Sequence, residues 1–130
     1  MAKIKILIKG YVKEKGDNEF ASSTTVLIRE REFNIIVDPG MNRQMLLNAL
    51  EKEGLFTGDI NYVVLTHYHL DHSLLTGIFE NAKILDSGEI YSWDGKIKSH
   101  NGKVPGTDIK IIKTPGHDLF DCSVLVRVCK

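Results

Sequence analysis

Three histidines and one carboxylate fall within six consecutive residues of this chain. His67, His69, Asp71 and His72 follow the apolar stretch 60–65, which is typical of a buried strand. Imidazole and carboxylate groups suit zinc first, with iron or manganese as alternatives. Four such donors where a strand ends are not expected of a hydrophobic core or of a solvated loop. The run therefore predicts a metal site.

The spacing of these donors suggests how they divide. If the backbone leaves the strand extended, His67 and His69 project from the same side and can address one ion. Asp71 and His72 then begin a helix, so their side chains diverge from the first pair towards a possible second ion. A helix N-terminus also favours the negative charge of Asp71 and of an anionic substrate group.

A third ligand for the first ion is expected from the far end of the sequence. A catalytic metal site needs about three protein ligands and an open position. His117 follows a predicted strand and the pair Pro115-Gly116, which forms a tight turn and can direct the next side chain towards the other strand ends. With three histidines on one ion, a bound water would have a pKa of about 7 and become a usable nucleophile.

Three motifs together resemble those of the metallo-β-lactamase superfamily. Residues 67–72 match its HxHxDH signature, Thr114-Pro115-Gly116-His117 is similar to its next motif, and Val37-Asp38-Pro39-Gly40 resembles its earlier strand-end aspartate. The order of the motifs also agrees. The resemblance covers residues from about 24 to the C-terminus.

The resemblance implies a role for each of these residues. The implied ligands are His67, His69 and His117 for a first ion, with Asp71 and His72 contributing to a second. Asp38 would bind no metal but would orient a ligand histidine through a hydrogen bond, as metal sites generally require. The reaction implied is hydrolysis by a metal-bound hydroxide, with Asp71 as the catalytic residue that steers the hydroxide or takes up a proton. The expected cofactor is zinc, as one or two ions, with iron or manganese possible.

The order of predicted elements indicates an α/β or α+β fold with a mixed sheet. The superfamily resemblance implies an αββα sandwich, and residues 1–130 are expected to form one domain of this type. Asn42 can cap a helix over 42–53 that Gly54 ends, and Asp71 can cap a second, short helix. The predicted strands are 3–12, 24–28, 33–37, 61–65, 82–85, 89–93, 96–98, 108–113 and 123–128.

The chain departs from the superfamily after His117. Members normally continue to a bridging aspartate and a final histidine, whereas this sequence ends at Lys130. Asp118 and Asp121 come before the last strand and are not expected to replace the bridge. We therefore expect only the N-terminal portion of the sandwich, with an apolar sheet face that self-association would cover. A shortened member, a fragment and a half-sandwich that pairs with a second copy all fit this pattern.

Composition and charge give no indication of a nucleic-acid or membrane partner. The 17 basic and 17 acidic residues balance, so the charge gives no indication of nucleic acid. No stretch approaches the roughly 20 apolar residues of a membrane span. Cys122 and Cys129 would lie on opposite faces of one strand and are not expected to form a disulfide; with no signal-like segment, this favours the cytoplasm.

Neighbouring residues are expected to be structural. Tyr68 and Leu70 alternate with the ligands, so they should face away from the ion and pack. Cys122 and Cys129 should be small strand hydrophobes rather than nucleophiles, and His100 should be a residue of a surface turn.

Several functions remain open from the sequence. The first is a zinc hydrolase acting on a small-molecule ester, thioester, lactone or phosphodiester. A single-iron oxygenase with a thiol-derived substrate is an alternative, because some relatives with this motif use one iron. A catalytically inactive metal-binding half-domain is another, since the bridge and the final histidine are missing.

Overall fold

The computed structural model describes residues 2–116 and 121–128, which form eleven strands and two α-helices. The helices are α1 (Arg43–Lys52) and α2 (Leu70–Ser73), and two 3₁₀ turns cover Thr57–Asp59 and Leu74–Ile78. The strands are β1 (Lys3–Ile8), β2 (Tyr11–Lys15), β3 (Asn18–Ser22), β4 (Thr25–Glu30), β5 (Phe33–Val37), β6 (Tyr62–Val64), β7 (Lys83–Leu85), β8 (Glu89–Tyr91), β9 (Ile97–Ser99), β10 (Lys110–Lys113) and β11 (Cys122–Leu125).

Seven strands form the mixed sheet that the sequence predicts. Their order is β1-β4-β5-β6-β7-β8-β9. The β5–β6 and β6–β7 pairs are parallel and the other pairs of this sheet are antiparallel. Strands β10 and β11 pair in a small second sheet, and β2 and β3 form a separate hairpin. Parallel central strands place their carboxyl ends at one edge, where the predicted ligands follow β6.

Both faces of the central sheet are buried. Along β5, Ile36 faces one core cluster and its neighbours Ile35 and Val37 face another, as the two-residue period of a strand requires. The first cluster includes Leu46 of α1, so the helix covers that face. The second includes Ile111 of β10, so the small sheet covers the opposite face. The result is a helix layer, a large sheet and part of a second sheet.

The helix α1 follows its sequence signals. The side chain of Asn42 accepts a hydrogen bond from the backbone N–H of Met45, which satisfies a donor of the first turn. Leu46 and Leu50, one turn apart, are buried against the sheet. Gly54 has φ of +72°, the left-handed conformation that ends helices most easily at glycine.

Three boundary predictions were wrong. The predicted strand 3–12 breaks between β1 and β2, where Gly10 approaches Thr24 so closely that an added Cβ would lie 2.8 Å from its backbone nitrogen. Asp71 does not cap α2; His69 occupies the N-cap position and makes no side-chain capping bond. The last predicted strand, 123–128, shifts to Cys122–Leu125, and Cys129 lies outside the described residues.

Part of one sheet face is exposed at β1. Ile4 and Ile6 are 47% and 59% exposed, and they pair with Ile28 and Val26 of β4. Those partners belong to the second core cluster, so the exposed isoleucines extend its face beyond the small sheet. Among the described residues, no helix has the length and apolar character needed to cross a membrane.

Candidate metal centre

The predicted ligands of the histidine run and their predicted supporting residue, Asp38, lie at the carboxyl ends of two adjacent parallel strands. Val37, the last residue of β5, pairs with Val64, the last residue of β6. Asp38 therefore begins one loop beside Thr66 and His67 of the next, although the loops are far apart in sequence. The backbone N–H of Asp38 donates to the carbonyl of Val64 at 3.0 Å, which fixes this register at the edge.

Asp38 is a buried carboxylate at the centre of this edge. It accepts a hydrogen bond from the backbone N–H of Thr66 at 2.8 Å and another from the Thr66 hydroxyl. Its own carbonyl accepts from the hydroxyl of Thr25 at 2.7 Å. Its φ is +51°, a conformation that aspartate tolerates better than most residues but that still costs energy. The surrounding bonds hold Asp38 in this conformation and direct its carboxylate at α2.

The Asp38 carboxylate contacts the imidazole of His72. Its Nδ1 lies 3.1 Å from Oδ2 of Asp38, and because an ionised carboxylate only accepts, Nδ1 is the donor. The hydrogen bond to Asp38 raises the pKa of His72 above its ordinary value, although burial opposes this. Nε2 of His72 lies 3.7 Å from Oδ2 of Asp71, so these two donors face the same region. The predicted supporting role of Asp38 thus has the geometry it needs.

His67 and His69 come together as their spacing suggests. Their ring centroids are 4.1 Å apart, and the ring of His72 is 4.9 Å from that of His67. Nδ1 of His67 lies 2.8 Å from Oδ1 of Asp121, in a pair that is largely buried. A carboxylate that accepts from Nδ1–H favours the tautomer whose lone pair is on Nε2, the form of imidazole that binds metal ions.

Asp121 is a site residue that sequence reasoning missed. It was assessed only as a possible bridge between two ions, whereas the structure places it against Nδ1 of His67, a predicted ligand. Its position one residue before β11, beside the cysteine that begins the strand, was the available signal. The backbone N–H of Cys122 donates to the carbonyl of Thr66 at 3.1 Å, which brings this strand end to the histidine run.

Backbone hydrogen bonds fix α2 against the Asp38 loop. Gly40 donates its N–H to the carbonyl of His72 at 2.9 Å and accepts from the N–H of Leu75 at 3.0 Å. The N–H of Ser23 donates to the carbonyl of Asp71 at 3.0 Å. Asp71 and His72 of α2 are therefore held in place by backbone hydrogen bonds as well as by contacts of their side chains.

A cavity of about 410 Å³ opens over these groups. Its lining residues are Thr66, His67, His69, Asp71, His72, Thr114, Asp121 and Cys122. Burial raises the pKa of the Cys122 thiol to about 12, so this sulfur is a neutral thiol at ordinary pH. Its Sγ donates to the carbonyl of Leu65 at 3.4 Å. The prediction that Cys122 is a small strand hydrophobe rather than a nucleophile is confirmed.

Comparison with known proteins identifies the family. Residues 18–117 match the family model of the metallo-β-lactamase superfamily. The chain belongs to that superfamily. The matched range contains all three motifs on which the sequence resemblance rests, whereas Asp121 lies beyond it.

Two curated relatives from distant organisms support the superfamily assignment. Metallo-beta-lactamase domain-containing protein 1 of Xenopus laevis is 30% identical over 95% of this chain. A Methanocaldococcus jannaschii protein provisionally named a metallo-hydrolase is 32% identical, again over 95% of this chain. The chain spans 56% and 62% of the lengths of these two relatives.

A solved structure supports the superfamily fold. A Thermotoga maritima protein, provisionally described as a metallo-β-lactamase, aligns with a TM-score of 0.79 and 23% identity, over 96% of this chain and 72% of that protein. The mixed sheet with few helices is thus a metallo-β-lactamase fold. The predicted fold class is confirmed.

The donor chemistry of the superfamily site fits a divalent transition metal. Two imidazoles already have carboxylates on Nδ1, which selects the tautomer that binds metal through Nε2. Within residues 2–116 and 121–128, no three histidine, cysteine or acidic side chains converge closely enough to hold an ion by themselves. His117, the predicted third ligand of the first ion, lies outside the described residues, so its role stays a prediction.

The residues between the ligands do not pack as predicted. Leu70 is 63% exposed and Tyr68 is 46% exposed. The Tyr68 hydroxyl instead donates a hydrogen bond to Asp86, beyond the end of β7. His100 is also more than a surface-turn residue, because its Nε2 lies 2.7 Å from the carbonyl oxygen of Asp86.

Proposed function

We propose that this chain contains the metal-binding part of a zinc-dependent hydrolase. The observation that supports it best is the pairing of clustered imidazoles with carboxylates. His67 and His72 each donate Nδ1–H to a largely buried aspartate while their rings lie 4.9 Å apart. Metal-ligating histidines generally have a carboxylate or carbonyl partner of this kind, whereas histidines of a solvated loop do not need one. The name of the Methanocaldococcus jannaschii relative, a metallo-hydrolase, agrees with hydrolysis.

The predicted ligands would bind two different ions. His67 and His69, with His117, would hold one ion; Asp71 and His72 would contribute to a second where two are bound. A bound ion would supply Lewis acidity, polarise a carbonyl or phosphoryl oxygen and lower the pKa of water to about 7. Asp38 and Asp121 hold the imidazoles in the tautomer that presents Nε2.

Asp71 is the proposed catalytic residue. Its side chain is one-third exposed and borders the cavity, and its Oδ2 lies 3.7 Å from Nε2 of His72. A carboxylate at this place can orient an attacking water and accept its proton. The substrate class we propose is a small-molecule ester, thioester, lactone or phosphodiester, since the cavity volume of about 410 Å³ lies in the range of small-molecule sites.

The first test is metal content, measured by plasma mass spectrometry on protein purified without chelators. Zinc bound by the parent and lost in His67→Ala would support the proposal. His100→Ala is the matched control, because it removes a histidine outside the cluster whose bond to Asp86 is to the backbone carbonyl and leaves the Asp86 carboxylate in place. Circular dichroism on each variant separates loss of metal from loss of fold.

Turnover is then measured on activated esters, thioesters, lactones and a phosphodiester with zinc present. Activity of the parent that His67→Ala abolishes and His100→Ala retains would support hydrolysis. Bound iron with oxygen consumption would favour the single-iron oxygenase. Bound metal without turnover on any substrate would favour a metal-binding protein without catalysis. A parent that binds no metal would overturn the proposal.

We also propose that a second copy of the chain covers the exposed part of the sheet. The support is the apolar surface at Ile4 and Ile6, which continues the face of a buried core cluster. Light scattering coupled to size-exclusion chromatography tests this. A dimer that Ile6→Lys converts to monomer would support it, and a parent that is monomeric at micromolar concentration would contradict it.

A further inference from the structure

Asp86, one residue beyond β7, is a buried carboxylate that joins two parts of the molecule. It is 7% exposed. Its Oδ1 accepts from the backbone N–H groups of Gly88 and Glu89 at 3.0 and 2.7 Å. Its Oδ2 accepts from the hydroxyl of Tyr91 at 2.8 Å and from that of Tyr68. Four donors thus meet on one side chain.

These four hydrogen bonds do different things. The bonds from Gly88, Glu89 and Tyr91 span two to five residues and close the turn between β7 and β8. The bond from Tyr68 spans 18 residues and comes from the centre of the histidine run. This bond therefore connects the histidine run, residues 67–72, to the carboxyl end of β7 through Asp86.

The side chain of Tyr68 is held in place by the hydrogen bond of its hydroxyl more than by packing of its ring. Nearly half of its surface is exposed, so core packing does not fix the ring as it would a buried aromatic. The carbonyl of Tyr68 accepts a bond from the hydroxyl of Ser73 at 3.0 Å, which holds the backbone from the side of α2. Together, the Ser73 and Asp86 bonds clamp the residue at both ends.

The charge state of Asp86 strengthens the clamp. Burial pushes the pKa of Asp86 upwards, but the hydrogen bonds from the tyrosines and from the backbone outweigh burial and leave it below its ordinary value. The group is therefore an anion at neutral pH, and a hydroxyl bound to an anion makes a shorter and stronger bond than one between neutral groups.

We infer that Tyr68 and Asp86 are positioning residues for the metal, through the hydrogen bond between them. Tyr68 stands between His67 and His69, so fixing its side chain fixes the backbone that carries both imidazoles, whose rings lie 4.1 Å apart. Metal sites need such precision, because a ligand pair displaced by about half an ångström no longer matches the ion. The inference rests on the proposed function, since it requires that these histidines bind metal.

The test compares Tyr68→Phe with Tyr91→Phe by titration with Co²⁺. Both variants remove one hydroxyl donor from the same oxygen of Asp86, but only Tyr68→Phe breaks the link between Asp86 and the histidine run. We expect about tenfold weaker Co²⁺ binding and an altered visible spectrum of the loaded protein for Tyr68→Phe. Tyr91→Phe should lose much less affinity and keep a spectrum close to that of the parent, because the hydrogen bond from Tyr68 to Asp86 remains. Urea unfolding of both metal-free variants measures the purely structural cost.

The outcomes are distinguishable. Equal affinity and identical spectra for the parent and Tyr68→Phe would overturn the inference while leaving the proposed metal site intact. Equal losses of affinity in both variants, in proportion to their losses of stability, would also overturn it, because the link would then be merely structural. A parent that binds no Co²⁺ would overturn the proposed function and this inference with it.

Discussion

Asp38 and His72 are 34 residues apart in sequence, yet Oδ2 of the first accepts a hydrogen bond from Nδ1 of the second at 3.1 Å. The same carboxylate accepts from Thr66, immediately before the histidine run. One buried group thus sets the orientation of a predicted ligand and of the strand end from which the other ligands leave. The arrangement of the proposed metal centre therefore depends on β5 as well as on the histidine run itself.

Replacement of Asp38 by Asn should weaken metal binding. The amide can still accept from Thr66, but its NH₂ group would meet the N–H of His72, and the charge is lost. We expect a ten- to hundredfold loss of zinc affinity, roughly, and a loss of about 1–3 kcal/mol in the free energy of unfolding. Chelator competition and urea unfolding measure the two quantities.

Asp94→Asn is the matched control, because Asp94 lies in an exposed turn before Gly95, where Asn-Gly is equally favoured. Zinc affinity that falls equally in both variants would contradict the role of Asp38.

Removal of the Asp121 carboxylate should loosen His67. Asp121→Ala deletes the acceptor 2.8 Å from Nδ1, so we expect zinc affinity to fall about ten- to hundredfold. Asp121→Asn retains a carbonyl acceptor and should fall between the parent and the alanine variant. Calorimetric zinc titration measures the series, with Asp108→Ala as a control at an exposed carboxylate that pairs with Arg31. Asn and Ala variants with the same affinity would show that the hydrogen bond is unimportant.

A side chain at Gly40 should destabilise the fold more than one at Gly54. Both glycines have positive φ, of +82° and +72°, so alanine at either costs roughly 1–2 kcal/mol. A Cβ at Gly54 would have nothing within 4 Å, whereas one at Gly40 would lie 3.1 Å from Oγ of Ser22. Gly40 also bonds to His72 and Leu75 through its backbone.

Urea unfolding should therefore give a larger loss for Gly40→Ala than for Gly54→Ala, and only the former should lower zinc affinity. Equal losses would mean that the backbone conformation alone sets the cost.

Acid should remove a stabilising contribution from Asp86. Burial raises its pKa, but the hydrogen bonds it accepts outweigh burial, so the folded pKa lies below the unfolded value near 3.8. The folded state then binds fewer protons than the unfolded state in acid, and its stability falls as pH drops. The contribution is complete well above the unfolded pKa and disappears as pH falls through the lower, folded pKa.

The free energies of unfolding of the parent and Asp86→Asn should therefore differ most at pH 7, and the gap should narrow as pH approaches 3. Asp17→Asn, at an exposed turn, corrects for the general effect of removing a carboxylate. A gap that stays constant or widens in acid would contradict the assignment.

Local signals predicted the elements that position the centre. The cap at Asn42, the stop at Gly54 and the paired leucines of α1 all follow from helix periodicity and capping. The approach of His67 to His69 follows from their spacing. Boundaries failed where tertiary contacts decide: Gly10 breaks the first predicted strand because it must pass close to Thr24, which no local pattern reveals.

The supporting residues of the site were harder to predict. Asp38 was found only because a motif resemblance pointed to it. Asp121 and Asp86 were not, since their contacts with His67 and Tyr68 join residues that are 54 and 18 positions apart. Neither aspartate has a sequence pattern that distinguishes it from an ordinary loop carboxylate. Their roles appear only when the strand ends meet.

The 54 residues that separate His67 from Asp121 also bear on how the molecule forms. Contacts between distant residues require a large loop to close, at an entropic cost that grows with its length, and folds rich in such contacts form more slowly. A chain leaving the ribosome therefore exposes its histidine run long before the acceptor for His67 has been synthesised. The contact between His67 and Asp121 can form only when β10 and β11 have packed against the rest of the fold. An intact proposed site therefore indicates that both parts of the described structure are folded.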